Sequence, residues 1–104
     1  CYPAMQSICQ GVTETPFWRG GTFHAAEVET SMMLAEAPQL CHMDRAPVEY
    51  PEVPADFDFR PYPWRSISQT GVFGDPRPST AAKGVELIDR LVRYIGGIIK
   101  EALP

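Results

Sequence analysis

The chain has 104 residues, 44% hydrophobic and 21% charged, a globular composition with room for one domain at most. Its net charge of −4, with no lysine or arginine cluster, argues against nucleic acid as a partner. No apolar run approaches the roughly 20 residues that span a bilayer, and no signal-peptide pattern is present, so no membrane partner is expected.

In chain order, the first residue is Cys1 rather than methionine, which is read as removal of an initiator or, preferably, as cleavage of a longer precursor. Residues 1–12 carry Ala4, Met5, Ile8 and Val12 and are expected to form a short strand. Trp18-Arg19-Gly20-Gly21 reads as a turn, because paired glycines relax the steric limits on φ. From Ala25 to about Leu40 the pattern is helical, with Glu27 and Glu29 in the first turns, where acidic groups complement the helix dipole. Pro38 marks the approach of its end. Six of the eleven prolines fall between Pro38 and Pro63, so residues 41–74 form a long irregular connection, rich in aromatics. Connections of this length tend to be functional or interface-forming. A short strand is expected at Trp64–Ser68.

The last segment carries the strongest pattern. Ser79 or Thr80 can cap a helix running to about Leu103. Val85, Ile88, Leu91, Val92, Ile95, Ile98, Ile99 and Ala102 follow helical spacing, and the stripe is expected to be buried against a sheet. Glu86–Arg90 and Asp89–Arg93 are i, i+4 pairs on the wet face. A chain with so much loop is expected to complete a larger core rather than stand alone. The cysteines (Cys1, Cys9 and Cys41) are odd in number and lack CxxC spacing, which points to reduced thiols in the cytoplasm.

Reactive side chains concentrate in His24-Ala-Ala-Glu27-Val-Glu29-Thr30-Ser31. His24 and Glu27, three apart, can share one side of the helix start, whereas Glu27 and Glu29 point to roughly opposite sides. Thr30 and Ser31 add hydroxyls that could orient a carboxylate. The plainer reading is that the two glutamates satisfy the helix dipole and His24 caps the helix.

The stretch from His24 to Leu34 is similar to the HAGExETSxML signature of the creatininase family. Gly71-Val-Phe-Gly-Asp-Pro-Arg77, followed by Ser79-Thr80-Ala81-Ala82-Lys83-Gly84, resembles that family's second carboxyl-terminal signature, GVxGDPxxATxxKG. The resemblance runs from roughly Gly20 to the end. It implies an α/β protein with a three-layer α/β/α fold, of which residues 1–104 supply the carboxyl-terminal half of one domain. It further implies hydrolysis of C–N bonds in small amides at a two-metal site of Zn, Mn or Fe. The family's acidic–histidine and NGHxxN-like motifs, which hold most of the metal ligands, have no match here. An amino-terminal creatininase-like partner chain is therefore expected, in a higher oligomer.

By position, His24 matches the family histidine that contacts substrate and shuttles protons, Glu29 the glutamate at or beside the metals, and Glu27 a carboxylate of less definite role. Glu27 is expected to be the more tolerant of the two. Ser31 is expected near the site, and Trp18 and Trp64 to wall the pocket, with plain core packing the alternative for both tryptophans. Phe23 and Gly21 stand where creatinine-hydrolysing members carry acidic residues, which argues against creatinine as substrate. Two rival readings remain: a hydrolase using Cys1 as an amino-terminal nucleophile, and a scaffold subunit whose site has decayed.

Overall fold

Thr80 starts the longest element. In the computed structural model, which describes residues 4–104, its hydroxyl accepts from the Lys83 N–H at 3.1 Å and caps helix α3, Ala81–Ala102. Before it come α1, Met5–Cys9, and α2, Glu27–Glu36. Three single 3₁₀ turns, at Pro38–Leu40, Met43–Arg45 and Trp64–Ser66, punctuate the connection. Residues 1–3, and with them the Cys1 of the rival nucleophile reading, lie outside the described residues.

The expected amino-terminal strand is a helix instead. Met5, Ile8 and Cys9 form one buried face of α1, which an isolated five-residue helix could not sustain because nucleation is costly. Arg90 of α3 supplies what the local sequence lacks. Its guanidinium donates to the carbonyls of Ile8 and Gln10 at 2.9 and 2.8 Å, satisfying the open end of the short helix. The α2 helix stops at Glu36, earlier than expected, because Pro38 keeps Ala37 out of the helical region (φ −146°, ψ 61°). The expected strand at Trp64 is a 3₁₀ turn, pinned by the Ser66 hydroxyl on the Pro63 carbonyl at 2.7 Å.

Helices α2 and α3 cross at backbone contact. A Cβ on Gly84 would stand 1.9 Å from the Ser31 carbonyl oxygen and 2.9 Å from the Ala35 Cβ, so only glycine fits there. Beside this crossing Met5, Ile8, Cys9, Val28 and Leu87 form the core. Burial pushes the Cys9 thiol up to about 11, despite the nearby Arg90 charge.

Two expectations meet limits. Among the described residues β-structure is confined to three isolated antiparallel bridges, Trp18↔Thr22, His24↔Phe73 and Glu49↔Gly74, so no sheet layer is present. Nor is the α3 stripe covered along its length. Leu87 is fully buried, but Val85, Val92, Ile95, Ile98 and Ile99 are about half exposed or more. Among the described residues no helix is long and apolar enough to cross a membrane.

Candidate functional site

The proline-rich connection is ordered by side chains that grip backbone. Glu49 pairs its backbone with Gly74, and its carboxylate accepts from the Ser68 hydroxyl, the N–H groups of Gln69 and Thr70, and the Thr70 hydroxyl. The hydroxyls of Thr70 and Ser68, then the Gln69 N–H, hold the carboxyl down to about 2. Trp18 donates its indole N–H to the Pro51 carbonyl at 2.7 Å, and Arg19 pairs with Asp58 at 2.8 Å. These ties fold the loop back over the residues preceding α2.

His24 sits where the strands of chain meet. Its backbone N–H and C=O both pair with Phe73, at 3.2 and 2.9 Å. Gly74, next in line, has φ 133° and lies so close to Ala26 that a Cβ on it would stand 2.6 Å from the Ala26 Cβ. The His24 ring meets the edge of Trp64 at a centroid distance of 4.7 Å, and Trp64 in turn meets Phe73 at 4.8 Å. Between His24 and α2, Ala25 adopts φ 50°, a left-handed conformation that costs a non-glycine residue roughly 1 kcal/mol or more. Glu29 holds it there: its Oε2 accepts from the Ala25 N–H at 2.5 Å. The same oxygen lies 3.9 Å from the His24 Nδ1. One carboxylate therefore braces the residue that precedes the Ala26 cap position of α2 and stands beside the imidazole.

His24 separates two cavities. On one side is an aromatic cleft of about 230 Å³, lined by Trp18, Arg19, Phe57, Trp64 and Phe73. Trp18 is nearly buried against Phe73 and serves as core and floor at once, whereas Trp64 is 56% exposed and forms an outer wall. On the other side is an open basin of about 650 Å³ lined by Glu29, Met33, Cys41, His42 and Arg45.

The structure divides the remaining candidates. Glu27, expected to be the more tolerant carboxylate, is enclosed by donors. It is 1% exposed and bonded to Thr15, to the Glu14 N–H and to Lys83, away from both cavities. Burial would raise its carboxyl, but donors from Lys83 and Thr15 outweigh that and hold it below the usual carboxylate range. Ser31 is fully buried at the helix crossing, where its hydroxyl accepts from the Thr80 N–H at 3.3 Å, so it joins α2 to α3 rather than orienting a carboxylate of the site. Sequence reasoning missed Glu49, Thr15 and Lys83 as organising residues. Lys83 stands in the second signature, but its partner is 56 residues away and no local spacing connects them.

Among the described residues no group of three or more His, Cys, Asp or Glu side chains stands together to hold a metal ion. Most ligands of a two-metal site would therefore have to come from outside the described residues.

No curated protein matches the chain at a significant level. A solved structure of a mutant creatininase superposes with a TM-score of 0.68 at 25% identity, covering all of this chain and 39% of that one. The chain thus spans well under half the length of the structure it matches. The family profile described as creatininase, creatinine amidohydrolase, matches residues 3–99. With that profile spanning both signatures, the first of which His24 opens, the chain belongs to the creatininase family.

Proposed function

We propose that this chain is the carboxyl-terminal part of a metal-dependent amidohydrolase that hydrolyses a non-peptide C–N bond in a small molecule. The observation that carries the reading is the placement of His24: its ring faces an aromatic cleft on one side and the Glu29 carboxylate on the other. A planar amide resting against Trp64 and Phe73 would lie within reach of the imidazole, which donates a proton to the leaving nitrogen. Glu29 orients that imidazole and would contribute to the metal environment. The remaining ligands, for Zn, Mn or Fe, come from an amino-terminal creatininase-like partner, which also supplies the sheet of a three-layer α/β/α fold. The chain covers only 39% of the solved creatininase, which leaves room for those ligands outside it. Such ions activate water and polarise the carbonyl. The assembly is a higher oligomer in the cytoplasm. Creatinine itself is not the substrate, since Gly21 and Phe23 replace the acidic residues that creatinine-hydrolysing relatives carry.

Two substitutions in the complete protein test the roles. Glu29→Gln removes a negative charge beside the ions, so metal content falls together with amide hydrolysis. His24→Ala leaves metal content unchanged while turnover drops by about 10²–10⁴-fold. Normal metal and normal turnover in both variants would defeat the assignment, and alkylation of Cys1 would then separate a cysteine nucleophile from a scaffold.

A further inference from the structure

The buried Glu27 carboxylate is the most heavily bonded group among the described side chains, yet neither cavity touches it. Its Oε2 accepts from the N–H groups of Glu14 and Thr15 at 2.9 and 2.8 Å and from the Thr15 hydroxyl at 2.7 Å. Its Oε1 accepts from Lys83 Nζ at 2.7 Å and again from the Glu14 N–H at 3.1 Å. Lys83 also donates to the Pro78 carbonyl at 2.8 Å and pairs with the Glu14 carboxylate at 3.1 Å. The backbone carbonyl of Glu27 accepts from the Ser79 hydroxyl at 3.2 Å. Three chain segments, around residues 14–15, 27 and 78–83, are therefore tied to one point.

Each segment leads directly into the candidate site. Thr15 precedes Trp18, the floor of the aromatic cleft, by three residues, and Glu27 follows His24 by three. The third segment continues back through Gly74 to Phe73, whose backbone holds His24. Three residues span at most about 10–11 Å of chain, so displacement at the tie is passed on rather than absorbed. A buried ion pair is seldom the most stabilising filling for such a position, because desolvation offsets much of the attraction. What it adds over an apolar cluster is direction, since each donor must meet a carboxylate oxygen at a set distance and angle.

We propose that Glu27, through Lys83 and Thr15, is a positioning residue that sets the spacing between the His24 imidazole and the Trp18 floor of the cleft. The proposal rests on the amidohydrolase reading for its consequence in turnover, but its geometric content is independent of it. A substrate held on the aromatic wall meets the proton donor only if that spacing is right, and a misplacement of about 1 Å can cost on the order of 10²-fold in rate.

The test uses the complete, metal-loaded protein with Glu27→Gln, Thr15→Val and, as a surface control, Asp89→Asn. Circular dichroism and metal analysis establish that each variant is folded and loaded. Nitrogen-15 spectra then report the His24 ring and the Trp18 indole N–H. Both resonances are expected to move in Glu27→Gln and, to a smaller extent in the same direction, in Thr15→Val, with no change in Asp89→Asn. In parallel, kcat falls by about tenfold to a hundredfold in Glu27→Gln while KM changes little. If Glu27→Gln does not fold, the milder Thr15→Val carries the comparison. Folded variants with unmoved His24 and Trp18 resonances overturn the proposal. Shifted resonances in a protein whose parent form hydrolyses no amide support the positioning role and overturn the amidohydrolase reading instead.

Discussion

Glu49 collects hydroxyl and N–H donors although it lies in a stretch whose prolines and aromatics read as irregular. Its behaviour with pH follows from those bonds. The carboxyl is held at about 2 in the fold, against 4.5 when free. A depressed folded value means that the stabilisation is fully present above the unfolded value and is lost as pH falls from 4.5 through about 2. Thermal midpoints recorded between about pH 5 and pH 2 should therefore decline less steeply for Glu49→Gln, which has no charge left to lose, than for the parent. Equal acid limbs would show that the carboxylate is not held as the structure has it. Glu27 makes the complementary point. Its neighbours in sequence mark it as a helix-dipole residue, and donors distant in sequence, from Glu14, Thr15 and Lys83, make it the tie of the molecule.

At the scale of elements, α3 begins as its sequence indicates, and its two halves then differ in partner. The first half lies on α2, with Gly84 against the Ser31 carbonyl. Gly84→Ala should separate the helices and destabilise the protein by a few kcal/mol, about the 1–3 kcal/mol of an overpacked core or more, because the obstruction is backbone and cannot rotate away. Thr80→Ala removes only the cap and should cost about 1 kcal/mol. Denaturant titration of the pair checks the order. A Thr80 variant as damaged as the Gly84 variant would mean that the helix start, not the crossing, limits stability. The second half of α3 faces α1 across an apolar groove of about 400 Å³ lined by Met5, Ile8, Leu91, Tyr94, Ile95 and Ile98.

For the whole molecule, the apolar residues of α3 cover a wider arc than this chain uses. Leu87 and Leu91 face the core, whereas Val92 and Ile99 stand at 63% and 50% exposure on the flank. In the proposed assembly those flanking residues meet the partner. Leu91→Asp should destabilise the fold itself, as a charge placed against the core. Ile99→Asp should leave helix content intact and weaken assembly, read as a smaller sedimenting species at the same concentration. An Ile99 variant that assembles like the parent would locate the partner elsewhere.

What the sequence determined by itself is what short-range chemistry can write. The capping residue Thr80, the apolar repeat of α3, the start of α2 and both family signatures need only neighbours within a few positions to be recognised. The pairing of His24 with an acidic helix start is likewise local, because Glu29 reaches back only four residues to the Ala25 N–H. The tertiary structure alone decided the rest. Met5–Cys9 became a helix because Arg90, more than 80 positions on in the chain, satisfies its carbonyls. Glu27 exchanged a dipole role for a buried ion pair because Lys83 is brought to it by the α2–α3 crossing. Trp64 reached His24 because Glu49 and Gly74 close the long connection upon itself. In each case the deciding interaction joins residues far apart in sequence, and periodicity carries no record of such a meeting until the chain has folded.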